Sequence, residues 1–147
     1  MTDTDATLAK AMQKAYRLLA LRARSEKELR DKLREKGFAE SVLNKVMAKL
    51  ADLNYLDDVS FAGQWARNLA INKLYGNRRI RISLREKGIS DAMIGRAINE
   101  ARHELSEQAA IERLINKRTG RIDRKKLDIR EKQRLYRWLM GKGFPSE

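Results

Sequence analysis

One short pattern occurs three times along this chain: a leucine, two further residues, a lysine, a glycine and a bulky apolar residue. The copies occupy residues 33–38, 84–89 and 139–144, so the pattern recurs about every 50 residues. Each copy is typical of a helix end at which the glycine adopts a left-handed conformation and the two apolar side chains touch. The lysine then lies at the negative end of the helix dipole. Three such endings at near-equal spacing predict an internal repeat built from helices.

The apolar residues between these endings follow helical spacing and divide the chain into units. We expect a disordered N-terminus over residues 1–7, followed by a three-helix repeat over 8–56 and a second over 57–104. A third repeat over 105–147 is expected to lack its last helix. The predicted fold is all-α, an elongated curved array of tandem three-helix repeats with a truncated and less stable third repeat.

The spacing of polar residues also predicts where several helices begin. Ser25 with Glu28 forms a capping box, and Asp128 with Glu131 resembles another. In a capping box, the side chain of the first residue accepts a hydrogen bond from the amide three residues later, and the acidic side chain reaches back. These starts fit the helix endings of the repeat.

The chain is strongly basic, with 33 Lys and Arg residues against 20 Asp and Glu, a net charge of +13 and a pI near 10.3. Such an excess favours nucleic acid, an acidic protein surface or an anionic membrane as the partner. No apolar run approaches the roughly 20 residues of a membrane span, and the N-terminus lacks the features of a signal peptide. The absence of cysteine excludes disulfides and thiolate metal sites. We therefore expect a cytoplasmic protein that does not bind a membrane.

No arrangement in the sequence supports catalysis. It contains no nucleophile–base pair, no metal-ligand spacing and no phosphate-binding glycine loop. The single histidine, His103, is interpreted as a solvated surface residue. Asp57 and Asp58 are interpreted as a helix N-cap with a favourable dipole charge rather than as a ligand site. For Trp65 and Trp138, core packing is favoured over base stacking. We expect a protein that is not an enzyme and needs no cofactor or metal.

Two groups of basic residues are candidates for binding a partner. The first surrounds a predicted turn and the helix after it, and consists of Lys73, Arg78, Arg79, Arg81 and Arg85. The second consists of Arg113, Lys117, Arg118, Arg121, Arg124, Lys125 and Lys126. Spacings of three and four residues place Arg78, Arg81 and Arg85 on one face of a helix. A run of charge is usually a solvated surface, but the net excess of 13 positive charges makes a binding role an equal alternative.

Three segments of the chain resemble the RecX family, the regulators of the RecA recombinase. They read Ser25-x-x-Glu28-Leu29-x-x-x-Leu33-x-x-Lys36-Gly37-Phe38, Tyr55-Leu56-Asp57-Asp58-x-x-Phe61-Ala62 and Arg79-Ile80-x-x-x-Leu84-x-x-Lys87-Gly88-Ile89. Their order and spacing together carry the resemblance, which covers residues 10–144. Asn54 departs from the family pattern, since glycine is frequent at that position. The chain also ends before the final helix of many members.

This resemblance implies a regulator that acts in DNA recombination, DNA repair and the SOS response. Proteins of that family are tandem three-helix arrays that bind the RecA filament on DNA and lie in its helical groove. They limit filament growth and suppress strand exchange together with the coupled ATPase and coprotease activities. For this chain the implied partner is the RecA filament, with DNA bound within or beside it, and a monomer is expected. The alternative is a non-specific DNA-binding protein that applies the same basic face to phosphates without contacting RecA.

Overall fold

A computed structural model of the chain describes residues 3–120 and 126–145. Within these residues there are eight α-helices and no strand, so the predicted all-α class is confirmed. The helices are α1 (Asp3–Leu21), α2 (Glu26–Glu35), α3 (Glu40–Asp52), α4 (Asp58–Arg67), α5 (Asn77–Glu86), α6 (Asp91–Glu104), α7 (Glu107–Thr119) and α8 (Ile129–Gly141). A π-helical turn, Asn68–Asn72, directly follows α4.

The repeated helix endings have the predicted geometry. Gly37 has a φ of +94°, and its amide donates to the carbonyl of Arg34 at 2.9 Å. The amide of Phe38 donates to the carbonyl of Leu33 at 3.4 Å, which completes a Schellman motif. The same pair of bonds surrounds Gly143, with a φ of +97°, and Gly88 in the second copy has a φ of +78°. All three glycines therefore occupy the left-handed region that the sequence pattern predicts.

Helix α1 begins earlier than the sequence predicts. The disorder expected over residues 1–7 is wrong for residues 3–7, which form the first turns of α1, while residues 1 and 2 lie outside the described part. Asp5 supplies a negative charge near the positive end of the helix dipole, and Ala6 has the highest helix propensity. The polar composition of residues 3–7 did not indicate these two contributions to helix stability.

The described chain forms two compact units, of which the first comprises residues 3–62 and 87–89. Its core lies between α1, α2 and α3. The α2 side chains Leu29 and Leu33 are fully buried there, one helical turn apart on a single face. Ala15 of α1 is also fully buried, and its small side chain allows the helices to approach closely. The repeated leucine at position 33 is thus both a capping residue and a core residue.

A charged network attaches the segment 87–89 to the start of α2 in this unit. The predicted capping box of Ser25 and Glu28 is present, and the buried Ser25 hydroxyl donates to the Lys87 carbonyl at 2.6 Å. The Lys87 ammonium donates to Glu28 Oε2 at 3.0 Å. Burial alone would raise the pKa of Glu28, but hydrogen bonds from Arg22, Lys87 and the Ser25 amide outweigh burial and lower that pKa to about 2. Glu28 therefore acts as an ionised anchor.

The second compact unit comprises residues 63–86 and the described residues from Ser90 onward. Phe144 is 1% exposed and packs in a core with Leu74 and Leu114. Leu74 follows the π-helical turn and has a φ of +56°, which is uncommon for a residue with a Cβ. Because its side chain is buried in the core, packing compensates for this backbone strain. The chain then turns directly into α5.

Candidate partner-binding surface

The N-terminus of α5 and the C-terminus of α8 lie against each other within the second unit. The amide of Gly76 donates to the carbonyl of Lys142 at 2.8 Å. The Arg78 guanidinium donates to the carbonyl of Met140 at 3.0 Å, and that of Arg79 reaches the next carbonyl at 3.4 Å. Both arginines therefore place positive charge at the negative end of the α8 dipole while remaining exposed. Their structural role and their exposure to a partner are compatible.

Cations and aromatic rings alternate in a continuous line at this junction. We call this line the aromatic row; its members are, in order, Arg79, Tyr75, Lys142, Trp138 and Arg118. The guanidinium carbon of Arg79 lies 3.9 Å from the centre of the Tyr75 ring, and that of Arg118 lies 4.5 Å from the centre of the Trp138 ring. The Lys142 ammonium lies 5.5 Å from the Tyr75 ring and 5.6 Å from the Trp138 ring. All four distances fall within the range of cation–π attraction. The row therefore holds three positive charges in defined positions.

A half-buried arginine fixes the backbone that carries the first ring of the row. The Arg102 guanidinium donates to the Tyr75 carbonyl at 2.9 Å, to Asn77 Oδ1 at 2.7 Å and to the Leu105 carbonyl at 3.3 Å. Asn77 in turn donates its side-chain amide to Glu107 at 2.9 Å. Burial lowers the pKa of Arg102, and the opposite charge of Glu107 partly offsets this effect. The network fixes the turn before α5 and thereby orients Tyr75.

Only part of the predicted basic set converges on this junction. Arg78, Arg79 and Arg118 contact groups of α8, whereas Arg85 forms an exposed ion pair with Asp91 at 3.1 Å. The remaining described candidates are exposed and form no ion pair with other described residues: Lys73, Arg81, Arg113, Lys117 and Lys126. Arg121, Arg124 and Lys125 lie outside the described residues.

Sequence reasoning missed two members of the row, Tyr75 and Lys142, and assigned a third, Trp138, to the core. Trp138 is half-buried and packs against the core around Phe144, but Arg118 and Lys142 also lie over its ring. Lys142 is the lysine of the third repeat ending, and Tyr75 directly precedes the Gly76–Asn77 turn. The three endings each have a lysine at the same position, but the repeat alone does not show which of the three lies over aromatic rings.

The acidic and histidine side chains of the described chain do not assemble a metal site. No three His, Cys, Asp or Glu residues in that part lie close enough to hold a metal ion. His103 is exposed, with its Nδ1 2.7 Å from the Asn99 carbonyl. Asp57 accepts a hydrogen bond from the amide three residues later at 3.1 Å, so it caps α4 as predicted. Asp58 accepts one from the amide of Glu26 at 2.9 Å.

The length and hydropathy of the helices show whether any of them could cross a membrane. Among the described residues, no helix combines the length and the apolar character that crossing a membrane requires.

Comparison with protein-family models assigns three successive parts of the chain. Residues 11–50 match the model described as the first three-helix domain of RecX, residues 57–98 match the second and residues 106–147 match the third. The chain belongs to the RecX family. Its organisation is therefore that of tandem three-helix domains, as the repeated endings predict.

Curated relatives carry the name regulatory protein RecX. The chain is 31% identical to the protein of Prosthecochloris aestuarii over 100% of this chain and 92% of the relative, and 33% identical to that of Amycolatopsis mediterranei over 93% and 77%. It is 35% identical to the Geobacillus kaustophilus protein over 94% of this chain and 51% of the relative. The chain thus spans about half the length of the Geobacillus and Listeria relatives it matches. By these names the family consists of regulatory proteins.

Solved structures share the fold. A crystal structure of regulatory protein RecX superposes with a TM-score of 0.82 at 28% identity, covering 95% of this chain and 69% of that chain. The crystal structure of RecX from Lactobacillus salivarius superposes with a TM-score of 0.77 at 22% identity, covering 96% and 90%. The second likeness supports the fold alone.

Proposed function

We propose that this RecX protein modulates the RecA recombinase by binding the RecA filament on DNA and inhibiting its strand exchange, ATPase and coprotease activities. Its membership of the RecX family supports the choice of RecA as partner. The aromatic row supports the choice of this junction as the surface that binds RecA, because the row holds several cations in defined positions there. In this proposal Arg78 and the exposed cations of α5 and α7 near the row also contact the RecA filament.

The aromatic row restricts the motion of its cations before a partner binds. A lysine or arginine side chain loses about 1.5–2 kcal/mol of conformational entropy when a partner immobilises it. Arg79 and Arg118 lie over aromatic rings, so part of this loss has already occurred before binding. A guanidinium can also bind a carboxylate or a phosphate through two parallel hydrogen bonds. A protein filament on DNA presents both groups, so such a row suits it.

Net charge adds long-range attraction to this contact. The chain carries a charge of +13, which steers it towards any polyanionic assembly and accelerates encounter. Steering of this kind weakens with salt, whereas contacts to buried protein groups persist. A RecA regulator should therefore keep a part of its activity that salt does not remove.

The second candidate is a non-specific DNA-binding protein that does not contact RecA. The observation that favours it is the set of exposed cations without ion pairs among the described residues, such as Arg81, Arg113 and Lys117. Phosphates would neutralise them, and binding would fall steeply and linearly on a double-logarithmic salt plot. Inhibition of RecA would then follow only from occupation of its DNA.

The test is RecA-dependent ATP hydrolysis on single-stranded DNA, titrated with this protein. The variant Arg79→Gln/Arg118→Gln removes two cations of the row, and Arg17→Gln/Arg96→Gln removes the same charge from exposed positions outside it. We expect the row variant to need at least severalfold more protein for half-inhibition, with the control within twofold of the parent. If added competitor DNA abolishes inhibition in proportion to its length, the DNA-binding candidate replaces the proposal. An unchanged rate of hydrolysis at all concentrations would refute both.

A further inference from the structure

A groove of about 470 Å³ lies between the end of α7 and the start of α8 in the second unit. Its lining includes three cations, Arg118, Lys126 and Arg134, and two leucines, Leu127 and Leu135. Of the described carboxylates, that of Glu131 lines it as well. The volume falls within the range of about 300–1,000 Å³ that is typical of ligand-binding clefts.

The charges of this lining favour an anionic occupant. Among the lining residues that the structure describes there are three cations and one carboxylate, and of these cations Lys126 and Arg134 are exposed without an ion pair to another described residue. Arg118 is held over the Trp138 ring at 4.5 Å, so its guanidinium has a defined position at the rim. The Thr119 hydroxyl donates to the Ile115 carbonyl at 2.7 Å and is already satisfied. The groove therefore offers positive charge as its principal polar feature.

The apolar part of the lining distinguishes between classes of anion. Leu127 and Leu135 present aliphatic carbon that a carboxylate or phosphate alone would leave uncovered. A nucleic acid carries a phosphate on every nucleotide and no aliphatic side chain, and the carboxylate of Glu131 would repel phosphates that follow the groove. A peptide can place acidic side chains on the arginines and an apolar side chain on the leucines. It can also keep its neutral backbone beside Glu131.

We infer that the groove between α7 and α8 binds an acidic peptide segment that carries a bulky apolar side chain. In this arrangement peptide carboxylates pair with Lys126 and Arg134, and the apolar side chain covers Leu127 and Leu135. The site shares Arg118 with the aromatic row but is a separate contact. The inference goes beyond the proposed function, because this binding requires neither RecA nor DNA.

The test is fluorescence anisotropy with a labelled decapeptide of aspartate and glutamate that contains two leucines. The variant Lys126→Gln/Arg134→Gln removes two groove cations that have no described partner within the chain. The matched variant Arg130→Gln/Arg137→Gln removes two exposed cations of α8 that do not line the groove. We expect at least tenfold weaker peptide binding for the first variant and less than a twofold change for the second. A peptide with serine in place of both leucines should bind at least fivefold more weakly to the parent protein.

Three results would overturn the inference. Equal weakening by both variants would mean that the peptide senses only net charge. Equal affinity for the serine peptide would remove the role of the leucines. A ten-nucleotide oligothymidylate that binds more tightly than the peptide, with the same dependence on Lys126 and Arg134, would assign the groove to nucleic acid instead. Since the assay contains no RecA, its failure leaves the RecA proposal standing, and failure of that proposal leaves the groove unaffected.

Discussion

Gly76 and Gly143 pack backbone against backbone, so closely that a Cβ added to Gly76 would overlap the carbonyl group of Gly143. The amide of Gly76 also donates to the neighbouring Lys142 carbonyl at 2.8 Å. The glycine that ends α8 therefore supports the turn that begins α5. Because Arg79 and Lys142 of the aromatic row extend from these two ends, the contact between the glycines sets the geometry of the row.

Replacing Gly76 by alanine should destabilise the protein by about 1–3 kcal/mol, because the added methyl group forces α5 and α8 apart. The free energy of unfolding, measured by urea denaturation followed by circular dichroism, checks this value. Gly95 of α6 has no atom near the position of an added Cβ and serves as the control. Gly95→Ala should be neutral or stabilising by about 0.5–1 kcal/mol. Equal stability of the Gly76→Ala variant and the parent would contradict the packing.

A comparison of Gly88→Ala with Gly37→Ala separates the cost of a strained backbone from the cost of steric overlap with a neighbouring side chain. Both glycines have positive φ, so alanine at either position incurs a backbone penalty of about 1–2 kcal/mol. At Gly88 the new methyl group would also overlap the side chain of Lys27, whereas nothing lies near it at Gly37. We expect Gly88→Ala to lose about 1 kcal/mol more stability than Gly37→Ala. Equal losses in thermal or urea unfolding would mean that Lys27 moves aside freely.

The Glu28 network should make stability depend on pH in a defined window. The folded pKa of Glu28 is about 2, below its ordinary value of 4.5, so its contribution is fully present above about pH 4.5. That contribution is lost as pH falls from about 4.5 towards 2, because the carboxylate becomes protonated. The difference in urea midpoint between the parent and Glu28→Gln should therefore be largest above pH 5 and shrink on acidification. Glu100→Gln, at an exposed position, is the control and should show no such trend.

The sequence predicted the features that depend on neighbouring residues. The Schellman endings, the capping box of Ser25 and Glu28 and the N-cap at Asp57 each involve residues within six positions of one another. Local chemistry is enough to specify such structures. Asn54 has a φ of +62°, a conformation that asparagine tolerates better than most residues with a Cβ.

The candidate site could not be predicted in the same way because it joins distant parts of the chain. The lysine of the repeated ending illustrates this, since it is present three times with three different environments. Lys36 is exposed, Lys87 pairs with Glu28, and Lys142 lies over the rings of Tyr75 and Trp138. The local sequence is nearly identical in each copy, so tertiary packing alone decides the role of each lysine. Charge runs identified Arg79 and Arg118 but gave no indication of the rings that hold them.

Removing the rings while keeping every charge should distinguish a positioned contact from simple charge attraction. In Tyr75→Leu/Trp138→Leu, the three cations of the row remain, but Arg79 and Arg118 lose the ring faces that orient them. An exposed cation–π contact contributes about 0.5–1 kcal/mol, so each ring should cost about twofold to fivefold in the concentration that half-inhibits RecA. Tyr16→Leu, at an aromatic residue of α1 outside the row, should leave inhibition unchanged.

The salt dependence of RecA inhibition shows whether the rings act by positioning the cations. Because the double variant carries the parent's net charge, the slope of inhibition against salt concentration should stay the same while the midpoint shifts to higher protein concentration. Circular dichroism establishes that the helices are retained. If the variant inhibits RecA as well as the parent at every salt concentration, the rings do not position the cations for the partner. The row would then contribute only through its charge.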